Sequence, residues 1–283
     1  MKKKPSISFV GCGSLVLALA PQLRRAGYPI DEIVVRPSSR RRALALARGV
    51  DARVVGFDDS ALGAKLIWFG VSDSAIAACA ALLATHRDGW KGTTVLHSSG
   101  ALTSTALAPM AARGAAVASL HPMMTFVRRS APPLEGVGFA AEGARSVLRQ
   151  TRTLVGDLGG HWFAVAPAAK PLYHAWGAFA SPLLIMELAQ AEAVARAAGI
   201  SNRQARRIME PIVRRTIDNY FAHGGAAAFS GPLARGDVAT IARHLAELRR
   251  LPAARDVYRA LARGALAVLP VGRRPEMTKA LRK

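Results

Sequence analysis

Along the first 122 positions, short apolar blocks alternate with amphipathic stretches. Residues 6–10 form a compact apolar block, the pattern of a short buried strand, and residues 14–26 carry apolar positions at helical spacing until Gly27 stops them. Residues 30–35 predict a second strand. Pro37, Ser38 and Ser39 make a turn with N-cap residues, and residues 40–48 predict a helix ended by Gly49. Further strands are expected near 52–55, over 64–71, 93–97 and 115–120, the last running into His121 and Pro122. A helix capped by Ser72 and Asp73 reaches about Thr85, and another follows the polar turn Ser98-Ser99-Gly100. Strand and helix alternate about six times, which predicts an α/β fold with a doubly wound parallel sheet.

The period changes after about residue 165. Residues 168–199 predict one long apolar helix, residues 201–222 a second with Ser201 as N-cap, and residues 237–250 and 253–268 two more. No strand pattern stands out there. The expected organisation is therefore a nucleotide-binding domain at 1–125, a connecting segment at 126–167, and an all-helical domain at 168–283 for substrate binding and dimerisation.

Half of the 283 residues are apolar (51%), enough for a sizeable core, and the formal net charge is +21. Nineteen basic residues lie in 1–150 and twenty in 151–283. An even spread with few aromatics argues against a nucleic-acid stacking platform and leaves a field that favours small anions. The N-terminus lacks a signal-peptide h-region, and charged residues or proline interrupt apolar stretches before a membrane span is reached, so a cytoplasmic protein with no membrane partner is expected. Cys12 and Cys79 have no ligand spacing, and none of the seven histidines stands in a metal-binding pattern, so no metal site is expected.

The first chemical signal is the turn after the first strand, Gly11-Cys12-Gly13-Ser14-Leu15. Glycines there permit a tight bend and let the backbone and helix N-terminus approach a diphosphate, as in Rossmann domains. With 25 glycines in the chain the G-x-G spacing alone carries little, and it recurs at Gly136-Val137-Gly138; only the first copy follows a strand and opens a helix. Val16 occupies the third glycine position, which predicts a helix slightly farther from the sheet. At the end of the second strand, where an NAD site places a carboxylate, stand Arg36, Ser38, Ser39 and Arg40. These residues would bind a 2′-phosphate, so the expected cofactor is NADP. Val71, Ser72, His97, Ser98 and His121 fall at carboxyl ends of strands, where ligands of such sheets bind. The nucleotide set is therefore Gly11, Gly13, Ser14, Leu15, Arg36, Ser38, Ser39, Arg40, Val71, Ser72, His97 and Ser98.

Four further stretches carry a resemblance: His97-Ser98-Ser99-Gly100, Ser119-Leu120-His121-Pro122-Met123-Met124-Thr125-Phe126, Lys170-Pro171-Leu172-Tyr173-His174-Ala175 and Gly231-Pro232-Leu233-Ala234-Arg235-Gly236-Asp237. With these the chain resembles, over nearly its whole length, the Rossmann-like oxidoreductases that carry a C-terminal helical domain of unknown function. These are distant relatives of ketopantoate reductase, pyrroline-carboxylate reductase, and the 6-phosphogluconate and hydroxyisobutyrate dehydrogenases. The resemblance implies an NADP-dependent oxidoreductase and does not supply its substrate; a small, anionic carbonyl, hydroxy or imino compound is the expectation.

In the dehydrogenase relatives a Lys and an Asn four apart polarise the reacting oxygen. That implies Lys170 as electrophile or general acid, with His174 as its partner one helical turn away. His121, pushed to extended geometry by Pro122, either faces the cleft or caps a buried turn. Asp237 is expected to cap a helix, with Arg235 either pairing with it or presented to an acidic substrate. Where the group shows Ser-Asn this chain has Ser181-Pro182, which leaves Ser181 alone as a polar substrate contact. The helical domain, rich in apolar residues, predicts a homodimer. Two alternatives remain: a ketopantoate-reductase-like enzyme and a non-catalytic NADP-binding sensor or scaffold.

Overall fold

The computed structural model describes residues 3–127 and 130–282. In the first of two compact units, residues 1–178, the elements are β1 (Ile7–Val10), α1 (Ser14–Arg25), β2 (Ile30–Val34), α2 (Arg40–Val50), β3 (Arg53–Val55), β4 (Leu66–Phe69), α3 (Asp73–Ala84), β5 (Thr94–His97), α4 (Ala108–Ala112), β6 (Ala116–Pro122), β7 (Gly138–Gly143), α5 (Arg145–Asp157), β8 (His161–Ala164) and the start of α6 (Lys170–Ala180). The sheet order is β3-β2-β1-β4-β5-β6-β7-β8. The first six strands run parallel; β7 pairs antiparallel with β6, and β8 runs parallel to β7.

Period-two alternation places the two cores. Ile7, Phe9, Leu66 and Trp68 point to the face covered by α1, α2 and α5, while Val10, Ile67 and Phe69 point to the face covered by α3 and α4. The doubly wound sheet expected from the sequence is thus present, with two additional strands. Residues 126–167, read from the sequence as a connector, carry β7, α5 and β8. The signal was muted because β7 is built from small residues, Ala140, Ala141 and Gly143, around the charged Glu142. In α5 the stripe Val147, Thr151, Leu154 and Val155 is buried at helical spacing.

Val16, at the third glycine position, is fully buried, and Gly70 just after β4 leaves it room: a Cβ on Gly70 would overlap the Val16 Cγ2. The missing atom has moved from the helix to the strand end.

The second unit, residues 179–283, contains α7 (Pro182–Ala197), α8 (Asn202–Ala228), α9 (Pro232–Arg235), α10 (Val238–Glu247), α11 (Pro252–Val268) and α12 (Arg274–Arg282). Its small core gathers Ile241, Leu245, Ala262, Ala265, Val271, Met277 and Leu281. The single helix expected over 168–199 is two helices, because Pro182 disfavours helical geometry at Ser181 (φ −134°, ψ −79°). By length and composition Pro167–Ala197 is apolar enough to cross a membrane, although the backbone breaks there. Ser201 and Asp237 cap α8 and α10 as expected, accepting from the N–H of Gln204 (3.4 Å) and Thr240 (3.0 Å).

Gly70→Ala is expected to destabilise the first unit by about 1–3 kcal/mol through overpacking. Adding Val16→Ala should recover much of that loss. Strictly additive effects in denaturant titrations of the single and double variants would show that this contact does not limit the packing.

Candidate active site

The sheet reverses its order between β1 and β4, and the crevice at their carboxyl ends is where such folds bind ligands. A cleft of about 670 Å³ opens there. Gly11 (φ +97°) makes the bend after β1, with Gly13 as N-cap of α1 in extended geometry. No side chain caps that helix, so its positive end is open to an anion.

Of the residues expected to hold a nucleotide, Gly11, Gly13, Arg36, Ser39, Val71 and Ser72 line the cleft. Ser14, Leu15, Ser38 and Arg40 do not. Arg42 takes the place expected for Arg40, because two residues along α2 turn the side chain through about 200°. Cys12 and Cys79 also line the cleft, as does Asp58 from the loop after β3. Burial raises both thiol pKa values, against smaller opposing effects of Arg42 on Cys12 and Arg36 on Cys79.

His97 and Ser98 are committed elsewhere. His97 is fully buried; its Nδ1 accepts from the Ser99 N–H (3.1 Å) and its Nε2 lies 2.9 Å from the Thr103 carbonyl, to which it donates. Burial lowers its pKa. The Ser98 hydroxyl accepts from the Trp68 indole (2.8 Å). Both residues fix the turn after β5, and neither lines the cleft.

A second group of polar residues meets at the carboxyl ends of β5 and β6. Lys170 opens α6 and is 1% exposed; its Nζ donates to the Ser99 carbonyl (3.1 Å) and the Ser119 hydroxyl (2.7 Å). Ser119 in turn donates to the Ser99 carbonyl (3.1 Å), and the Ser99 hydroxyl donates to Asp73 (2.6 Å). Burial lowers the Lys170 pKa, opposed by Glu142 and Asp73. Glu142 is itself held by the Ser104 N–H (2.7 Å) and hydroxyl (2.6 Å).

One turn along α6, the Tyr173 hydroxyl lies 2.7 Å from His121 Nδ1, and the His174 and His121 ring centroids are 6.3 Å apart. Gly100 admits both imidazoles: a Cβ there would meet His174 Cδ2 at 2.7 Å and His121 Nε2 at 3.0 Å. Burial first, then the charges of Lys170 and His174, push the His121 pKa down to about 4. Burial lifts Tyr173 to about 12. The phenol is the better acid, so it donates to Nδ1, which leaves the imidazole proton on Nε2 toward Gly100.

The structure thus brings Lys170, His121 and His174 together and adds Ser99, Ser119 and Tyr173, whose roles the sequence did not suggest although all three lie in the stretches singled out there. Ser181 and Arg235 belong to the second unit, Ser181 at the helix break and Arg235 exposed at the end of α9. Asp237 takes the cap, and among the described residues it forms no ion pair with Arg235. Among the described residues no three His, Cys, Asp or Glu side chains converge as a metal set.

Residues 2–122 match the Rossmann-like domain family, and residues 137–265 match a family described as a domain of unknown function, DUF2520. The chain therefore carries a Rossmann-like domain followed by a DUF2520 domain. Among solved structures it is similar to a protein from Bacteroides fragilis described as a candidate NADP oxidoreductase (20% identity, TM-score 0.77, 93% of this chain and 98% of the other covered). A protein from Thermotoga maritima is similar at 19% identity and TM-score 0.72, covering 98% and 100%. So is a reductive aminase from Aspergillus terreus in complex with NADPH and ethyl-5-oxohexanoate, at 16% identity and TM-score 0.66, covering 93% and 94%. These likenesses establish the fold. No curated protein sequence matches the chain.

The depressed His121 pKa makes a prediction about stability. Between its ordinary value of 6.5 and about 4 the folded chain binds fewer protons than the unfolded one, so stability falls as pH drops through that window. The full loss is about 3 kcal/mol. His121→Gln should flatten this acid dependence in denaturant titrations at pH 7 and pH 4.5, and an unchanged slope would mean that His121 does not titrate as its surroundings dictate.

Proposed function

We propose that the chain is an NADP(H)-dependent oxidoreductase that transfers a hydride to or from a small carbonyl, hydroxy or imino compound, with an anionic group on the substrate. The observation that carries this reading is the cleft itself. A glycine bend and an uncapped helix N-terminus suit a diphosphate, and Arg36 and Arg42 flank them. Asp58 sets one carboxylate against two guanidinium groups, so the lining still favours an extra phosphate. The NADPH held by the similar Aspergillus reductive aminase supports the same reading.

When bound, the cofactor supplies or accepts the hydride; the chain must position the substrate and handle the proton. His121 is suited to the second task. Its Nε2–H, on the side of Gly100, is suited to act as a neutral donor to charge developing on oxygen or nitrogen, with the Tyr173 phenol behind it as proton source. His174, on the same side and exposed, is suited to contact an anionic substrate. The role first expected for Lys170, a direct proton donor, gives way to a positioning role. Its amine is enclosed by Ser99 and Ser119, ties α6 to two strand ends, and adds its charge to the burial that keeps His121 neutral.

Arg36→Asp should weaken NADPH binding about 10- to 100-fold, the worth of a charge-assisted hydrogen bond, and leave NADH nearly unchanged; equal losses would refute the phosphate assignment. In an NADPH-oxidation screen over 2-oxo acids, imines and aldehydes, His121→Phe should lower kcat about 100-fold with NADPH affinity retained. Lys170→Met should shift the pH profile of kcat upward, as His121 loses a neighbouring charge. NADPH binding without oxidation of any partner in the screen would instead support a non-catalytic NADP-binding protein.

The apolar surface supports the expected homodimer. No residue of α7 is buried and only Ala205 of α8 is, while Phe179, Ile212 and Phe221 are 70%, 67% and 82% exposed. A second copy is the proposed cover, and sedimentation showing only monomer at micromolar concentration would remove it.

A further inference from the structure

The helical unit carries an open cavity of its own, about 490 Å³, lined by residues of α10, α11, α12 and the turns beside them. Its floor is apolar, formed by Val238, Ala242, Leu245 and Ala246 of α10 with Ala280 of α12. Its rim is cationic: Arg249, Arg255, Arg273 and Lys279 stand there against one carboxylate, Glu276. Glu276 is taken by Arg273 at 3.1 Å. Among the described residues Arg249 and Lys279 have no hydrogen-bond or ion-pair partner. Two cations on the rim of an apolar cavity are thus left for something other than the chain.

Arg273 adds an independent observation. Its backbone is left-handed (φ +46°), a conformation a side chain adopts at a cost and glycine adopts freely. Backbone conformation alone would be satisfied better by glycine. What the arginine gives in return is a guanidinium on the cavity rim.

We propose that this cavity is a second ligand site that takes a small organic anion, a carboxylate or phosphomonoester carrying a short apolar body. The volume lies within the range of small-molecule sites, about 300–1,000 Å³. The free cations meet the anionic head, and the alanine-rich floor takes the apolar part, which a bare inorganic ion would leave empty. This site shares no residue with the cofactor cleft, whose lining lies within residues 11–82.

Calorimetry on the full chain saturated with NADPH tests the proposal, with octanoate and hexyl phosphate as the two arms and inorganic phosphate and octanol as controls. At least one arm should bind, and each control at least about tenfold more weakly, since head and body contribute separately. Arg249→Glu with Lys279→Glu should weaken binding at least about tenfold, and Ala242→Trp, which fills the floor, should abolish it. Arg273→Gly should also weaken binding while raising Tm by about 2 °C, as the strain is released. That pairing separates a site residue from a structural one, because a structural arginine would lower Tm when removed. No heat in either arm, controls that bind as tightly, or binding that persists in the charge-reversed and filled variants would overturn the proposal.

Discussion

A buried amine governs the carboxyl edge of the sheet. Lys170 reaches from the first residue of α6 to the carbonyl of Ser99 and the hydroxyl of Ser119, and so ties the turn after β5, the end of β6 and the start of the helix to one nitrogen. Removing an ammonium group from water is costly, and it is tolerated only where polar partners are ready-made. Here they are, and their geometry fixes the rest. Tyr173 is carried one turn along the same helix to His121, and His121 is kept neutral by burial beside that amine. The Glu142 carboxylate, bound to Ser104, lies within electrostatic reach and softens the cost.

The cleft at β1 and β4 follows a different logic, in which backbone does most of the binding work. Its anion-binding character comes from a bend, an uncapped helix end and two guanidinium groups. The charge of the whole chain, +21, reinforces this at a distance, since a basic field concentrates anionic ligands around any such crevice. The cavity of the helical unit draws on the same surplus of cations, but sets them on an alanine floor.

Much of this was readable along the chain, and the failures have physical causes. Blocks of β-branched and aromatic residues located β1, β2, β4 and β5 because a strand buried on both faces needs them. The glycine turn and Arg36 were legible through their context, a strand before and a helix after. β7 was not, because its alanines are equally at home in a helix. Position 97 shows another limit: a histidine at a strand end was expected to face a ligand, yet the turn it begins needs a donor and an acceptor at that point, and the ring supplies both inward. Nor could spacing say that Lys170 would turn into the protein while His174 turns out. Four residues apart puts two side chains on one side of a helix without saying how deep each sits. The break at Ser181 was visible in Pro182 itself and was overridden by the apolar composition on both sides.

The exchange between Val16 and Gly70 has a wider consequence. A fingerprint written as three glycines in one turn treats the third as a property of the helix. In this chain the quantity that must stay small is the combined bulk of two facing positions more than fifty residues apart. Either partner can give up its side chain, so a search that insists on the helix position will pass over chains that solved the same steric problem from the strand.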